Sequence, residues 1–111
     1  MRKQDSLDFI EELYSTITNR ARSKKMNSYT NLLLKKGKNK IAQKIGEEST
    51  ELIIDYLNGS KKRTVEEASD LIYHLLVLLY SKKISIKDIK KELTKRKGVS
   101  NIGYSFFCFN K

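Results

Sequence analysis

Two short clusters of carboxylates are the residues of this chain whose types and spacing could do chemistry. The clusters comprise three acids each: Glu47, Glu48 and Glu51, then Glu66, Glu67 and Asp70. Positions three and four apart share one face of a helix, so each cluster offers stacked carboxylates. Crowded like charges raise the free energy of the fold unless a cation offsets them. Because carboxylate oxygens suit Mg²⁺ or Mn²⁺, the pattern predicts a divalent-metal site.

The turn between the clusters predicts that they face each other. Glu51 lies eight residues before Gly59, and Glu67 lies seven residues after Ser60. In an antiparallel helix pair, both clusters would then lie about 10–12 Å from the turn. Facing helices are about 8–10 Å apart, a gap that carboxylate side chains from both sides can close around one cation.

The alternative interpretation of these acids is an ordinary solvated helix surface. Thr64 and Glu67 have the spacing of a capping box at a helix start. Glu47 or Glu48 can also pair with a lysine one helical turn earlier. The residues alone leave both interpretations open.

Composition limits the class of protein. The chain has 111 residues, a formal net charge of +10 and 39% hydrophobic residues, which predicts one folded domain. No apolar run is long enough to span a bilayer and no signal-peptide core begins the chain, so we expect a cytoplasmic protein without a membrane partner. A single cysteine, Cys108, and a single histidine, His74, exclude an internal disulfide and a multi-ligand Cys/His zinc site. The charge fits an anionic partner or merely lysine-covered helices.

Apolar spacing predicts an all-α bundle of four to five helices. The predicted helices cover residues 6–24, 29–36 with Gly37 at the end, 40–57, 64–81, and 85–96 with Ser85 as N-cap. Residues 71–80 are apolar on nearly every side, so that helix must be covered all round. Since a small monomer would struggle to do this, we expect a helical homodimer. We divide the chain into a helical domain, residues 1–97, and an atypical aromatic tail, residues 98–111.

Further residues are candidates for substrate contacts. Lys36, Lys40 and Lys44 are placed to hold phosphate oxygens, although each is individually typical of an exposed lysine. His74 lies in an apolar helix and is more typical of a hydrogen-bonded core residue than of a catalyst. Tyr73 fits a core or an interface.

The chain resembles phosphoribosyl-ATP pyrophosphohydrolase, the second enzyme of histidine biosynthesis, over roughly residues 7–97. The matching motifs are Ser28-Tyr29-Thr30, Leu32, Gly37, residues 40–48 (K-I-A-Q-K-I-G-E-E), residues 67–79 (E-A-S-D-L-I-Y-H-L-L-V-L-L), Glu92-Leu93 and Lys95-Arg96. The acidic pattern E-E-x-x-E followed by E-x-x-D is shared more widely, with the MazG-like all-α nucleotide pyrophosphohydrolases. The tail after Gly98 departs from the family pattern.

The resemblance implies an activity and a set of site residues. The reaction would be Mg²⁺-dependent hydrolysis of phosphoribosyl-ATP to phosphoribosyl-AMP and pyrophosphate, with Mn²⁺ as a possible substitute. The implied metal ligands are Glu48, Glu51, Glu67 and Asp70. Glu47 would be a further ligand or a nearby general base, which makes Glu47 and Glu48 the catalytic candidates. Lys36, Lys40, Lys44, Tyr73 and His74 would bind substrate.

The resemblance also implies a MazG-like helical bundle assembled as a homodimer, with active sites near the interface. The chain lacks the Cys and His ligands of the cyclohydrolase to which relatives are fused, so we expect a monofunctional enzyme. One alternative function is a house-cleaning nucleoside triphosphate pyrophosphohydrolase on the same scaffold. The alternative from another class is a basic helical protein that binds nucleic acid or a protein partner, whereas the enzyme hypothesis expects no nucleic-acid partner.

Overall fold

The computed structural model describes residues 8–23 and 28–100, and this part of the chain folds into five α-helices. They are α1 (Asp8–Arg22), α2 (Tyr29–Lys36), α3 (Lys38–Asn58), α4 (Lys61–Ser81) and α5 (Ile86–Ser100). The all-α prediction is confirmed, and the described residues contain no strand. Helices α3, α4 and α5 are each longer than predicted at one end or both. Most of the aromatic tail, residues 101–111, lies outside the described residues.

Helices α3 and α4 form an antiparallel pair, called here the α3–α4 hairpin. The Ser60 side chain caps α4 by accepting a hydrogen bond from the backbone N–H of Arg63 at 3.1 Å. The capping box predicted for Thr64 and Glu67 is therefore wrong, because the helix begins one turn earlier. The Thr64 hydroxyl instead contacts the Asp55 carbonyl oxygen at 3.2 Å, which ties α4 to the end of α3.

A single glycine joins α2 to α3. Gly37 has φ of 94°, in the left-handed region that favours glycine. Its N–H donates to the carbonyl oxygens of Leu33 and Leu34, both at 3.2 Å, which confirms the predicted helix end. At the other end of α2, the Ser28 hydroxyl accepts from the Asn31 N–H at 3.1 Å.

Helix α4 lies at the centre of the fold and packs against α1, α2 and α3. The buried apolar residues are Ile17, Leu33, Ile41, Leu76, Val77 and Leu79. Half of them belong to α4, so the apolar stretch of the sequence supplies the core. None of the described helices combines the length and hydropathy needed to cross a bilayer.

Helix α5 begins with a reciprocal cap. The N–H of Asp88 donates to the Ser85 hydroxyl at 3.2 Å, and the N–H of Ser85 donates to Asp88 Oδ2 at 2.9 Å. This confirms Ser85 as the N-cap. Just before it, the Tyr14 hydroxyl donates to the Ile84 carbonyl oxygen at 2.7 Å, fixing the α4–α5 connection to α1.

Two glycine substitutions should change stability in opposite directions. Gly37→Ala should lower the free energy of unfolding by about 1–3 kcal/mol, because an L-residue is strained at this φ. Gly46 lies inside α3 with open space around its Cα, so Gly46→Ala should raise it by about 0.5–1 kcal/mol. Thermal or urea unfolding of both variants measures the difference. If Gly46→Ala were less stable than the wild type, another surface would have to pack against Gly46.

Candidate metal centre

The α3–α4 hairpin brings three carboxylates together, called here the acid cluster: Glu48, Glu67 and Asp70. One carboxylate oxygen from each lies within 4.8 Å of the others. Glu48 comes from α3, whereas the other two come from α4, so the cluster spans the helix interface. Glu48 and Glu67 are each only 7% exposed. Asp70 is exposed, which leaves the cluster open to solvent on one side.

Two buried oxygens of the cluster lack partners. Within the described part of the chain, neither Glu48 Oε1 nor Glu67 Oε1 has a hydrogen-bond partner. Buried polar atoms are nearly always paired, because leaving one unpaired costs about 1–3 kcal/mol. Carboxylate oxygens from several side chains are the ligands that hard divalent cations prefer. The residues therefore fit a divalent metal ion.

The pKa of Glu67 reflects the crowding of the carboxylates. Burial raises the pKa of the Glu67 carboxyl, and so do the hydrogen bond that its protonated form donates to Glu51 and the negative charges of Glu51, Glu48 and Asp70. Arg63 Nη2 approaches Glu67 Oε2 at 3.4 Å, but burial and the neighbouring acids outweigh it. A metal ion bound here must compete with a proton for Glu67. Glu51, which was predicted as a further ligand, is exposed and lies beside Glu67 but outside the acid cluster.

The remaining acid of the first motif points elsewhere. Glu47 Oε2 accepts a hydrogen bond from Gln43 Nε2 at 2.8 Å, and Glu47 Oε1 lies 3.7 Å from Lys44 Nζ. The hydrogen bond from Gln43 and the positive charge of Lys44 lower the pKa of Glu47. Glu66 is likewise turned outward, 3.5 Å from Arg63 Nη1. The structure thus leaves Glu47 and Glu66 outside the acid cluster.

Of the three candidate lysines, one is adjacent to the cluster. Lys44 Nζ lies 3.9 Å from Glu48 Oε2, with its side chain 26% exposed. Lys40 is half-buried one turn earlier, where its charge also lowers the pKa of Glu47. Lys36 is exposed at the end of α2. A phosphate at the cluster would therefore meet Lys44 first.

His74 is buried and both of its ring nitrogens are engaged. Nδ1 lies 2.9 Å from the Asp70 carbonyl oxygen, which can only accept, so Nδ1 carries a proton. Nε2 lies 2.9 Å from the Tyr29 hydroxyl, and in the tautomer with a proton on Nδ1 alone it accepts a hydrogen bond from that hydroxyl. Nδ1 is also 3.9 Å from Glu48 Oε2. The ring therefore links α2 to the helix that carries Glu67 and Asp70.

Tyr73 makes a second link between the same helices. Its hydroxyl hydrogen-bonds to the hydroxyl of Thr30, which is fully buried. Its ring centroid lies 6.1 Å from that of Tyr29. Tyr73 and His74 thus both position Tyr29, which is itself 46% exposed.

Three residues near the cluster were not predicted from the sequence to be site residues. They are Tyr29, Asp55 and Arg63. Burial raises the pKa of the Tyr29 phenol, and the positive charge of Lys44 partly opposes this. Arg63 stands four residues before Glu67, a spacing that predicts an ion pair and could have identified it.

Glu67→Gln should stabilise the metal-free protein at neutral pH. A carboxyl whose pKa is raised by folding favours the fold below its unfolded pKa, and this stability is lost as pH rises through the folded pKa. The wild type in chelator should therefore lose stability as pH rises above the ordinary glutamate range, and Glu67→Gln should not. Thermal midpoints from pH 4 to about 8 measure this. Glu66→Gln, which removes an exposed acid, is the control; equal pH profiles for wild type and Glu67→Gln would contradict the prediction.

Comparison with known proteins supplies the family. The family model described as phosphoribosyl-ATP pyrophosphohydrolase matches residues 10–97. A phosphoribosyl-ATP pyrophosphatase of Clostridium novyi is 47% identical over 84% of this chain and 84% of its own length. One from Sulfolobus acidocaldarius is 53% identical over 78% of this chain and 92% of its own length.

A fused relative matches as well. The histidine biosynthesis bifunctional protein HisIE of Caldanaerobacter subterraneus is 46% identical over 84% of this chain but only 45% of its own length. The similarity therefore corresponds to one part of that protein. Since the family model covers most of the chain and two phosphoribosyl-ATP pyrophosphatases match over most of their own length, the chain belongs to the phosphoribosyl-ATP pyrophosphohydrolase family.

Proposed function

We propose that this chain hydrolyses phosphoribosyl-ATP to phosphoribosyl-AMP and pyrophosphate, the second step of histidine biosynthesis, with Mg²⁺ bound at the acid cluster. Family membership supports the substrate and the reaction. The observation that carries the metal requirement is the pair of buried, unpartnered oxygens, Glu48 Oε1 and Glu67 Oε1. A protein that used these acids only for packing would gain nothing from keeping them unpaired.

In this proposal Glu48, Glu67 and Asp70 hold the ion, and Glu51 contributes from the solvent edge. When bound, the ion supplies charge stabilisation for phosphate oxygens. Mn²⁺ can replace it, because both ions prefer carboxylate and water ligands. The acids bind the ion tightly only when ionised, so Glu67 must first lose the proton that its raised pKa favours.

The basic residues around the cluster would hold the substrate. Lys44 is the first candidate for a phosphate oxygen because its amino group lies beside Glu48 and remains partly exposed. Lys40 and Lys36 extend this positive surface toward α2. The exposed ring of Tyr29, whose hydroxyl contacts His74, would give the organic part of the nucleotide an aromatic contact. His74 and Tyr73 would then act on the substrate by fixing Tyr29.

Glu48 fits the role of general base better than Glu47. Glu48 belongs to the acid cluster, so a carboxylate oxygen of Glu48 that the ion leaves free can accept a hydrogen bond from the attacking water. Glu47 is engaged by Gln43, and its lowered pKa makes it a weaker base. We therefore assign both metal binding and water activation to Glu48.

We also propose a homodimer formed through an apolar groove between α4 and α5. The groove encloses about 490 Å³ and is lined by residues that include Ile10, Ile72, Leu75, Ile89 and Leu93. Ile72, Leu75 and Leu93 are 39%, 43% and 51% exposed. A second copy of the chain would cover this apolar surface, which a monomer leaves in water.

The activity should depend on the cluster and on the metal. Purified protein with Mg²⁺ should release pyrophosphate from phosphoribosyl-ATP, and chelator should stop the release. Glu48→Gln and Asp70→Asn should each lower kcat/KM by about 100-fold or more while helicity is kept. Glu66→Gln, an acid on α4 outside the cluster, should stay near the wild-type rate.

Two outcomes would contradict the proposal. Turnover confined to canonical or damaged nucleoside triphosphates would favour the house-cleaning function on the same scaffold. Near-normal rates for both Glu48→Gln and Asp70→Asn would show that the ligand set is wrong. Helicity measured by circular dichroism separates either result from misfolding.

Leu75→Glu should convert the dimer to a monomer, because it places a charge in the centre of the groove. Light scattering during size-exclusion chromatography measures the change. Tyr56→Glu is the control, since Tyr56 is 75% exposed on α3 and does not line the groove. Dissociation by Tyr56→Glu but not by Leu75→Glu would move the interface to α3.

A further inference from the structure

Arg63 contacts three carboxylates at the edge of the acid cluster. Its Nη2 lies 3.4 Å from Glu67 Oε2 and 3.6 Å from Asp55 Oδ2, and its Nη1 lies 3.5 Å from Glu66 Oε1. Asp55 belongs to α3, whereas the other two acids belong to α4. The guanidinium therefore bridges the α3–α4 hairpin beside the acid cluster.

The contact with Glu67 is selective for one oxygen. Arg63 approaches Oε2, whereas Oε1 is the buried atom that lacks a partner in the described structure. Glu48 shows the same division, because Lys44 approaches its Oε2 and leaves Oε1 unpartnered. On each helix, a cation four residues before the acid thus contacts one carboxylate oxygen and leaves the other available.

Arginine is a permanent cation, since its guanidinium does not lose its proton in proteins. Arg63 therefore attracts the acid cluster most strongly when the cluster carries its full negative charge. Once a divalent ion neutralises the acids, that attraction falls and Arg63 repels the ion itself. A group that stabilises the empty site more than the loaded site must weaken metal binding by the same factor.

We propose that Arg63 is a built-in counter-cation of the acid cluster, which stabilises the empty hairpin and weakens the affinity of the site for a divalent metal. This inference rests on the proposed metal site. It assigns Arg63 a positioning and electrostatic role rather than a catalytic one. It also gives the chain a means of tolerating the three acids of the cluster while no metal is bound.

Arg63→Gln should test both proposed effects, stabilisation of the metal-free hairpin and weakening of metal binding, without an activity assay. Titration with Mn²⁺, followed by electron paramagnetic resonance of the free ion, should show about two- to fivefold tighter binding than in the wild type. The thermal midpoint of Arg63→Gln should be lower than that of the wild type in chelator, and this gap should shrink at saturating Mg²⁺. Arg63→Lys keeps the positive charge and should therefore bind Mn²⁺ with the affinity of the wild type.

Arg96→Gln is the matched control. Arg96 contacts Glu92 at 2.8 Å with the same four-residue spacing on α5, away from the cluster, so its loss should leave Mn²⁺ affinity unchanged. Unchanged or weaker Mn²⁺ binding by Arg63→Gln, or an equal loss of stability with and without Mg²⁺, would overturn the inference. Absence of Mn²⁺ binding by the wild type would instead overturn the metal site, while the midpoints in chelator still test stabilisation by Arg63.

Discussion

Three carboxylates lie within 4.8 Å of one another across α3 and α4, and their repulsion must be offset for the two helices to pack. Several contacts offset this repulsion among the carboxylates. Lys44 and Arg63 approach the Oε2 atoms of Glu48 and Glu67, and the core residues of α4 hold the helices together about two turns beyond Asp70. Hydrophobic burial thus maintains an arrangement that electrostatics alone would open, and a divalent cation is the natural complement.

The need to hold the repelling acids together explains why α4 is so apolar. Its first half carries Glu67 and Asp70, and its second half supplies Leu76, Val77 and Leu79 to the core. The helix therefore anchors itself at one end and presents acids at the other. The cap at Ser60 and the hydrogen bond from Thr64 to the Asp55 carbonyl fix the turn between α3 and α4, and with it the height at which the acids meet.

The helices and the facing of Glu48 with Glu67 and Asp70 could be predicted from the sequence, because both follow from periodicity and from the length of the Gly59 turn. The direction in which individual side chains point could not be predicted from the sequence. Glu47 and Glu48 are adjacent in the sequence, yet one is exposed beside Gln43 and the other is buried. That difference depends on rotation of α3 against α4, which is a property of packing. The contact of Tyr29 with His74 joins residues 45 apart in the chain, so no pattern in the local sequence could predict it.

Helix α2 has only eight residues, and a helix this short is not stable in water by itself. Its order depends on docking, through Thr30, Leu33 and the contact of Tyr29 with His74. We therefore expect α2, which bears Tyr29, to open at a lower free energy than the α3–α4 hairpin. Amide hydrogens of α2 would then exchange with solvent faster than those of α4, and a ligand touching Tyr29 would slow that exchange without contacting the core.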